Sequence, residues 1–257
     1  KIIVRNFNMK DGHFVYNDYH RSPIKLTTKQ EIDYKHLDIY KILIDIDDFE
    51  FQDQKYSGKL NKLSFLNSTG FSLQNLEANQ VIVNSKSASL NNCKLITASS
   101  EIGDTLSFKY KNYTDFLNFN DNVIMNGKFK NSKVAVRDVM EFAPDLRDVS
   151  IFKNNVDKVF LLNGNLFGKV NSLSGKNLDI SILHENFKLQ GEFSSRNFAV
   201  KDEEMLNLKI NQLNTHSDFL QKIIPDLRNN ATIIRIGKMN LNGRFDVFFA
   251  DCGALLY

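Results

Sequence analysis

The chain has 257 residues, enough for one large domain or two small ones with a real core. An apolar fraction of 42% and a charged fraction of 25% are those of an ordinary folded protein, and 33 basic against 30 acidic residues form no basic stripe, so a nucleic acid partner is not expected. Only 3 prolines argue against long irregular loops, so regular structure is expected through most of the chain.

In chain order the dominant pattern is alternation with a period of two, which gives a strand one apolar and one polar face. Ile42, Ile44 and Ile46 alternate with Leu43, Asp45 and Asp47, and Phe49 and Phe51 with Glu50 and Gln52. Phe71 and Leu73 alternate with Ser72 and Gln74, Val81 and Val83 flank Ile82, and Leu106 and Phe108 alternate with Ser107 and Lys109. Further on, Leu178, Ile180 and Ile182 alternate with Asp179 and Ser181, and Leu206, Leu208 and Ile210 with Asn207 and Lys209. The runs span 5–9 residues between Asn, Ser, Gly or Asp, the punctuation of a meander, a barrel or a solenoid. About 20 such strands stacked ~4.8 Å apart would make a segment roughly 95 Å long. Where the parity slips, as from Leu60 to Leu63, a bulge is expected.

Two repeats punctuate this series. A polar residue, Gly, any residue and an apolar one recur at Asn126–Phe129, Asn163–Leu166, Gln190–Phe193 and Asn242–Phe245, with Ser57–Leu60 similar. Glycine there fits a bulge or a close backbone approach. A longer repeat relates Val136–Arg147 to Ser217–Arg228; both read as short helices ending near a proline. Thr114–Leu117 starts a shorter third copy, and Thr, Ser or Asp is the expected N-cap in each. Short helical insertions are therefore expected near 113–119, 136–146 and 216–227, within one continuous segment spanning 1–257.

Catalytic signatures are missing from this pattern. His13, His20, His36, His184 and His216 share no spacing that gathers a metal, and no nucleophile elbow or phosphate loop occurs. Asp45, Asp47 and Asp48 lack the glycine and distal glutamate of a calcium loop and read as a solvated strand face. Cys93 and Cys252 are far apart in sequence and read as incidental thiols rather than a disulfide. Asn67, Asn112 and Asn230 match the glycosylation pattern, as chance allows in so asparagine-rich a chain. No catalysis, cofactor or metal is expected. No run of 18 apolar residues occurs, and Lys1 opens no apolar leader, so the chain is expected to be part of something longer.

The stretch Leu37–Ser99, with its Leu-polar-Ile phrase, its Gly58-Lys59-Leu60 strand and its Gly70-Phe71 strand, resembles the TamB-like translocation and assembly proteins of the Bacteroidetes type, in the AsmA-like superfamily. The helix-and-proline segments ending at Leu146 and Leu227, each followed by an Asn-Gly strand, are similar to that family's repeats, and the likeness covers most of Val4–Phe249. The family's N-terminal membrane anchor and C-terminal domain have no counterpart here, and Asp251–Tyr257 does not continue the pattern.

The resemblance implies a mainly β fold: an elongated, twisted open β-groove, U-shaped in section (a "β-taco"), of many amphipathic strands with a few short helices. It implies a periplasmic protein, held in the inner membrane by an anchor outside this segment and reaching an outer-membrane barrel partner of the BamA superfamily. Its role would be bridge-like transfer of phospholipids between the membranes, outer-membrane protein assembly, or both. The lipid-binding lining it implies is Leu60, Leu63, Phe65, Phe71, Leu73, Val81, Val83, Leu106, Phe108, Phe129, Leu178, Ile180, Ile182, Leu189, Phe193, Leu206, Leu208 and Ile210. An acyl chain suits such a lining: about 16 carbons leaving water gain roughly 13 kcal/mol at ~0.8 kcal/mol per methylene, with no polar pocket. No polar anchor that would trap a headgroup is expected among these residues. Alternation alone favours a closed, filled sandwich or solenoid, and the resemblance reverses that preference. A protein-assembly scaffold, or a surface or adhesive β-solenoid, is the alternative function.

Overall fold

The computed structural model describes residues 1–18, 35–142, 144–148, 150–197, 204–223, 235, 237–249 and 255–256. The chain divides into two compact units, Lys1–Gly127 and Lys128–Tyr257. In each, the order of strands in the sheet is their order in the chain.

The first unit holds β1 (Ile2–Asn17), β2 (His36–Gln52), β3 (Lys55–Asn67), β4 (Ser72–Asn84), β5 (Ser87–Thr97), β6 (Glu101–Lys109) and the start of β7 (Ile124–Ala135). From β1 to β6 each strand pairs antiparallel with the next, and β1 meets only β2 among the described residues, so the sheet stays open. Short turns make this possible. Asp53 and Gln54 both take positive φ (50° and 59°), the backbone of a two-residue hairpin whose twist matches that of its strands. At the β3–β4 turn Asn67 Oδ1 accepts from Thr69 N at 2.9 Å, which buries the Asn67 side chain in the turn. Thr97 Oγ1 likewise accepts from Ser100 N at 2.8 Å between β5 and β6.

The second unit holds the rest of β7, then β8 (Val159–Lys169), β9 (Ser172–Ile182), β10 (Lys188–Arg196), β11 (Glu204–His216), β12 (Lys238–Phe249) and β13 (Leu255–Leu256). β8 to β13 pair antiparallel in succession. The protein is thus mainly β, built of sequential antiparallel strands not closed into a barrel, with few short helices.

The strands are fewer and longer than the alternation suggests: thirteen among the described residues, with β2 running 17 residues and β1 16. Bulges are the reason. The runs Ile42–Asp47 and Phe49–Gln52 belong to one strand, joined at Asp48, whose φ is 50°. Asp11, Lys41, Asn92 and Asn177 take the same left-handed conformation, each where the register shifts. Asn and Asp enter this region at least cost after glycine, which gives the abundant asparagine a structural use.

Four glycines of the short motif sit at register shifts too: Gly58, Gly164, Gly191 and Gly243. At Gly191 a Cβ would lie 2.2 Å from the Lys209 carbonyl oxygen, so the backbones approach too closely for any side chain.

Among the described residues, helices interrupt the sheet in three places. A 3-10 turn (Tyr113–Asn118) leads into α1 (Phe119–Asn122) between β6 and β7, capped by the side chain of Asn112 rather than by Thr114. The Val136–Arg147 repeat forms α2 (Val136–Phe142) and a 3-10 turn (Pro144–Asp148), followed by α3 (Ser150–Lys153). Its partner forms α4 (Ser217–Ile223), and residues 224–227 lie outside the described residues. The two copies close alike. Val136 N donates to Lys158 O at 3.0 Å and Ser217 N to Gly237 O at 2.8 Å, each joining a helix start to the residue before the next strand.

Candidate functional site: an apolar sheet face

Directly opposed residues of an antiparallel pair share a face. In the first unit the register lines up apolar rows across the sheet. One row is Met9, Ile44, Leu63, Leu76, Leu95 and Ile102; another is Phe7, Ile46, Leu60, Ala78 and Cys93. A third is Gly58, Val81, Leu90 and Leu106, and a fourth Phe51, Tyr56, Val83, Ala88 and Phe108.

Leu60 and Leu63, Ala78 and Val81, and Leu90 and Cys93 are three apart, which strict alternation would place on opposite faces. They nevertheless pack into one cluster around Leu60, Ala78 and Cys93. The bulges between them reset the parity and keep the apolar residues on one side. Phe71 and Leu73 centre a second cluster, joined by Leu63, Phe65, Leu76 and Leu95.

All the first-unit residues of the implied lining thus lie on this face. Leu60, Phe71 and Leu73 are buried; Leu63, Phe65, Val81, Val83, Leu106 and Phe108 are half-buried. Ile44, Ile46, Leu76, Ala78, Leu90, Cys93 and Leu95 belong to it as well, a membership that only the register reveals. At one end of β6, Phe119 lies 6.1 Å from Phe108, while Phe116 packs edge-on against Tyr110 at 5.0 Å. Tyr110 is held by its hydroxyl, which donates to Asn84 O at 2.8 Å.

The opposite face carries polar ladders, with Leu43, Leu66, Ile82 and Ile96 set among them. Asp47 accepts from Asn6 Nδ2 at 2.9 Å and Asn61 Nδ2 at 2.7 Å, a ladder over three strands, and Asn6 also reaches Asp45 at 3.2 Å. The bonds from Asn61 and then Asn6 hold the Asp47 carboxyl below its ordinary pKa. Lys94 pairs with Glu101 at 2.9 Å, which raises the Lys94 pKa, and Gln80 with Asn91 at 3.1 Å. Asp45 and Asp47 are therefore structural ladder members.

The second unit repeats the pattern on its own strands. Leu162, Ile180, Leu189, Leu213 and Leu241 form one row; Leu178, Gly191, Ile210 and Gly243 form another. Phe193 stands opposite Gly175 and Leu208, and a Cβ on Gly175 would lie 2.5 Å from both Leu178 and Phe193. Leu178, Ile182 and Ile210 are buried, and Phe129, Ile180, Leu189, Phe193, Leu206 and Leu208 half-buried. Ile182 departs from the row pattern. It packs with Phe219 of α4, Phe160 and Phe187 in a core of its own.

Among the described residues no group of three or more His, Cys, Asp or Glu could hold a metal ion, and no helix is long and apolar enough to cross a membrane. Cys93 is a free thiol whose pKa burial raises, which keeps it protonated; Cys252 lies outside the described residues. His13 pairs with Asp38 at 2.7 Å and His216 with Asp218 at 3.3 Å, in different strands and units; His20 and Asn230 lie outside the described residues.

One residue of the first face breaks its chemistry. Asp104 stands directly opposite Cys93 and alternates in step with Ile102, Leu106 and Phe108. The Leu106–Phe108 alternation, extended two residues toward the N-terminus, would have found it. No family model, curated protein or solved structure matches the chain.

Proposed function

We propose that the chain is a lipid-conducting segment of a TamB-like protein, and that its apolar sheet face is the path along which acyl chains move. The supporting observation is the face spanning β2 to β6, continuous across five strands and half-buried through much of its area, while polar ladders run along the other face. A soluble protein keeps so large an apolar patch open for a ligand. Rows of near-equivalent Leu, Ile, Val and Phe suit passage, because no single position binds an acyl chain much more tightly than its neighbour. Phospholipid is then the transported ligand and no catalysis is needed. The location is the periplasm, with an inner-membrane anchor outside this segment and an outer-membrane barrel of the BamA superfamily as partner.

Photo-crosslinkers at Val83, Phe108 and Ile180 test this against Gln80, Lys109 and Asp179 on the polar side. Phospholipid should be captured from the first set only. Equal capture on both sides would sink the reading.

A second reading, a scaffold for assembling outer-membrane proteins, is favoured by β1, which meets no strand but β2 among the described residues. That strand runs 16 residues and exposes Ile3 (61%), Phe7 (44%), Phe14 (49%) and Val15 (53%). An edge of this kind can pair with an incoming strand. Crosslinkers on β1 that capture unfolded barrel protein and no lipid would support it over the first.

A further inference from the structure

The apolar face of the first unit carries a carboxylate. Lys94 and Glu101 meet at 2.9 Å on the polar side of β5 and β6, and Gly103 lies opposite Lys94. Residues of opposite parity on β6, namely Ile102, Asp104, Leu106 and Phe108, therefore point to the apolar side. Leu106 packs into the cluster that contains Cys93, and the register sets Asp104 directly opposite Cys93. After burial itself, the charge of Asp104 contributes to the rise of the Cys93 pKa, which puts the carboxylate within electrostatic reach of that sulfur.

Asp104 is half-buried and has partners of its own; its Oδ1 accepts from Thr105 Oγ1 at 3.0 Å. What it offers a ligand is charge, not an empty bonding position. An acyl chain laid over this face removes water from the carboxylate. A neutral or anionic amphiphile would leave that lost hydration uncompensated, and an anionic one would add repulsion. An ammonium group restores the balance with its opposite charge.

We infer that the face selects amphiphiles with a primary-ammonium head, which Asp104 receives while the alkyl chain lies along Leu90, Cys93 and Leu106. This rests on the apolar face being a lipid path and names the class of lipid it prefers. The head meets one half-buried charge rather than a closed pocket, so selection need not arrest movement.

The full chain is tested by equilibrium dialysis at neutral pH with dodecylammonium and dodecanoate below their micellar concentrations and dodecanol below its solubility limit. The isosteric Asp104→Asn removes the charge from the apolar face. Asp45→Asn removes the same charge from the polar face and corrects for net charge. The expected result is dodecylammonium bound roughly tenfold tighter than dodecanol, the ratio that about 1.4 kcal/mol carries. That preference should persist in Asp45→Asn and vanish in Asp104→Asn. If all three amphiphiles bind alike, or Asp104→Asn keeps the preference, the inference is overturned while the lipid path stands. If none binds to any variant, both fall together.

Discussion

Asp47, Glu141 and Leu60 illustrate three different balances at the level of single residues. Asp47 gains from ionisation, because two asparagine side chains donate to its carboxylate. Its folded pKa lies below the ordinary 3.8, so its stabilisation is fully present above that value and is lost as pH falls through the lower folded one. Removing the stronger donor with Asn61→Ala should flatten the acid limb of a pH–stability curve, read by thermal unfolding from neutral pH downward.

Glu141 is the opposite case. It is buried on α2 with no hydrogen-bond partner for Oε2 among the described residues, and burial, then the charge of Asp138, raises its pKa, against the weaker pull of Arg147 and Arg137. A raised carboxyl pKa means stability present at low pH and lost as pH rises from the ordinary carboxyl range through the folded value. Glu141→Gln should abolish that loss and leave the protein more stable than wild type at neutral pH; an unchanged neutral-pH unfolding midpoint would contradict it. Leu60 is simpler. It is buried at the centre of the first-unit cluster, and Leu60→Ala should cost about 3 kcal/mol by denaturant unfolding.

The bulge is the device that matters among the elements, more than the strand. A strict alternation over 13 residues of β3 would have turned Leu60 and Leu63 to opposite faces. Asn92 shows what the device requires. With φ at 46° it suits Asn or Gly and strains a β-branched residue. Asn92→Val should destabilise by about 1–3 kcal/mol while Asn92→Gly stays close to wild type, a contrast that urea unfolding of the two variants measures. Gly191 is limited by space instead. Gly191→Ala forces β10 and β11 apart at the Lys209 carbonyl and should cost about 2–3 kcal/mol. The helical insertions are placed by the same logic, since each repeat copy ties a helix start to the next strand by one backbone bond.

For the molecule as a whole, the distinction that governs function is between an open and a filled sheet. Val83, half-buried between Tyr56 and Ala88, separates them. A lysine in a filled core would cost several kcal/mol, whereas on an open face its head reaches water and the cost should stay near 1 kcal/mol. Val83→Lys should therefore unfold almost like wild type yet capture less lipid at a neighbouring crosslinker on Phe108. A large loss of stability would identify this face as a closed core.

Much of this could be read from the residues in order. Period-two alternation at Leu178–Ile182 and Leu206–Ile210 is local backbone geometry, and so is the helical repeat at 136 and 217. The amphipathic β character of the chain was determined at that level, because a strand's two faces follow from the pleat alone. Strand number and membership of the apolar face were not. Whether Asp48 or Asn92 continues a strand or breaks it depends on which residue lies across the ladder, and pairing partners are remote in sequence. Ile44, Ala78 and Cys93 joined Leu60 only through register. Asp104 became a member of the same face for that reason. Its neighbours in sequence are Gly103 and Thr105, but its neighbours in space, which decide what a charge there can do, are supplied by the strand alongside.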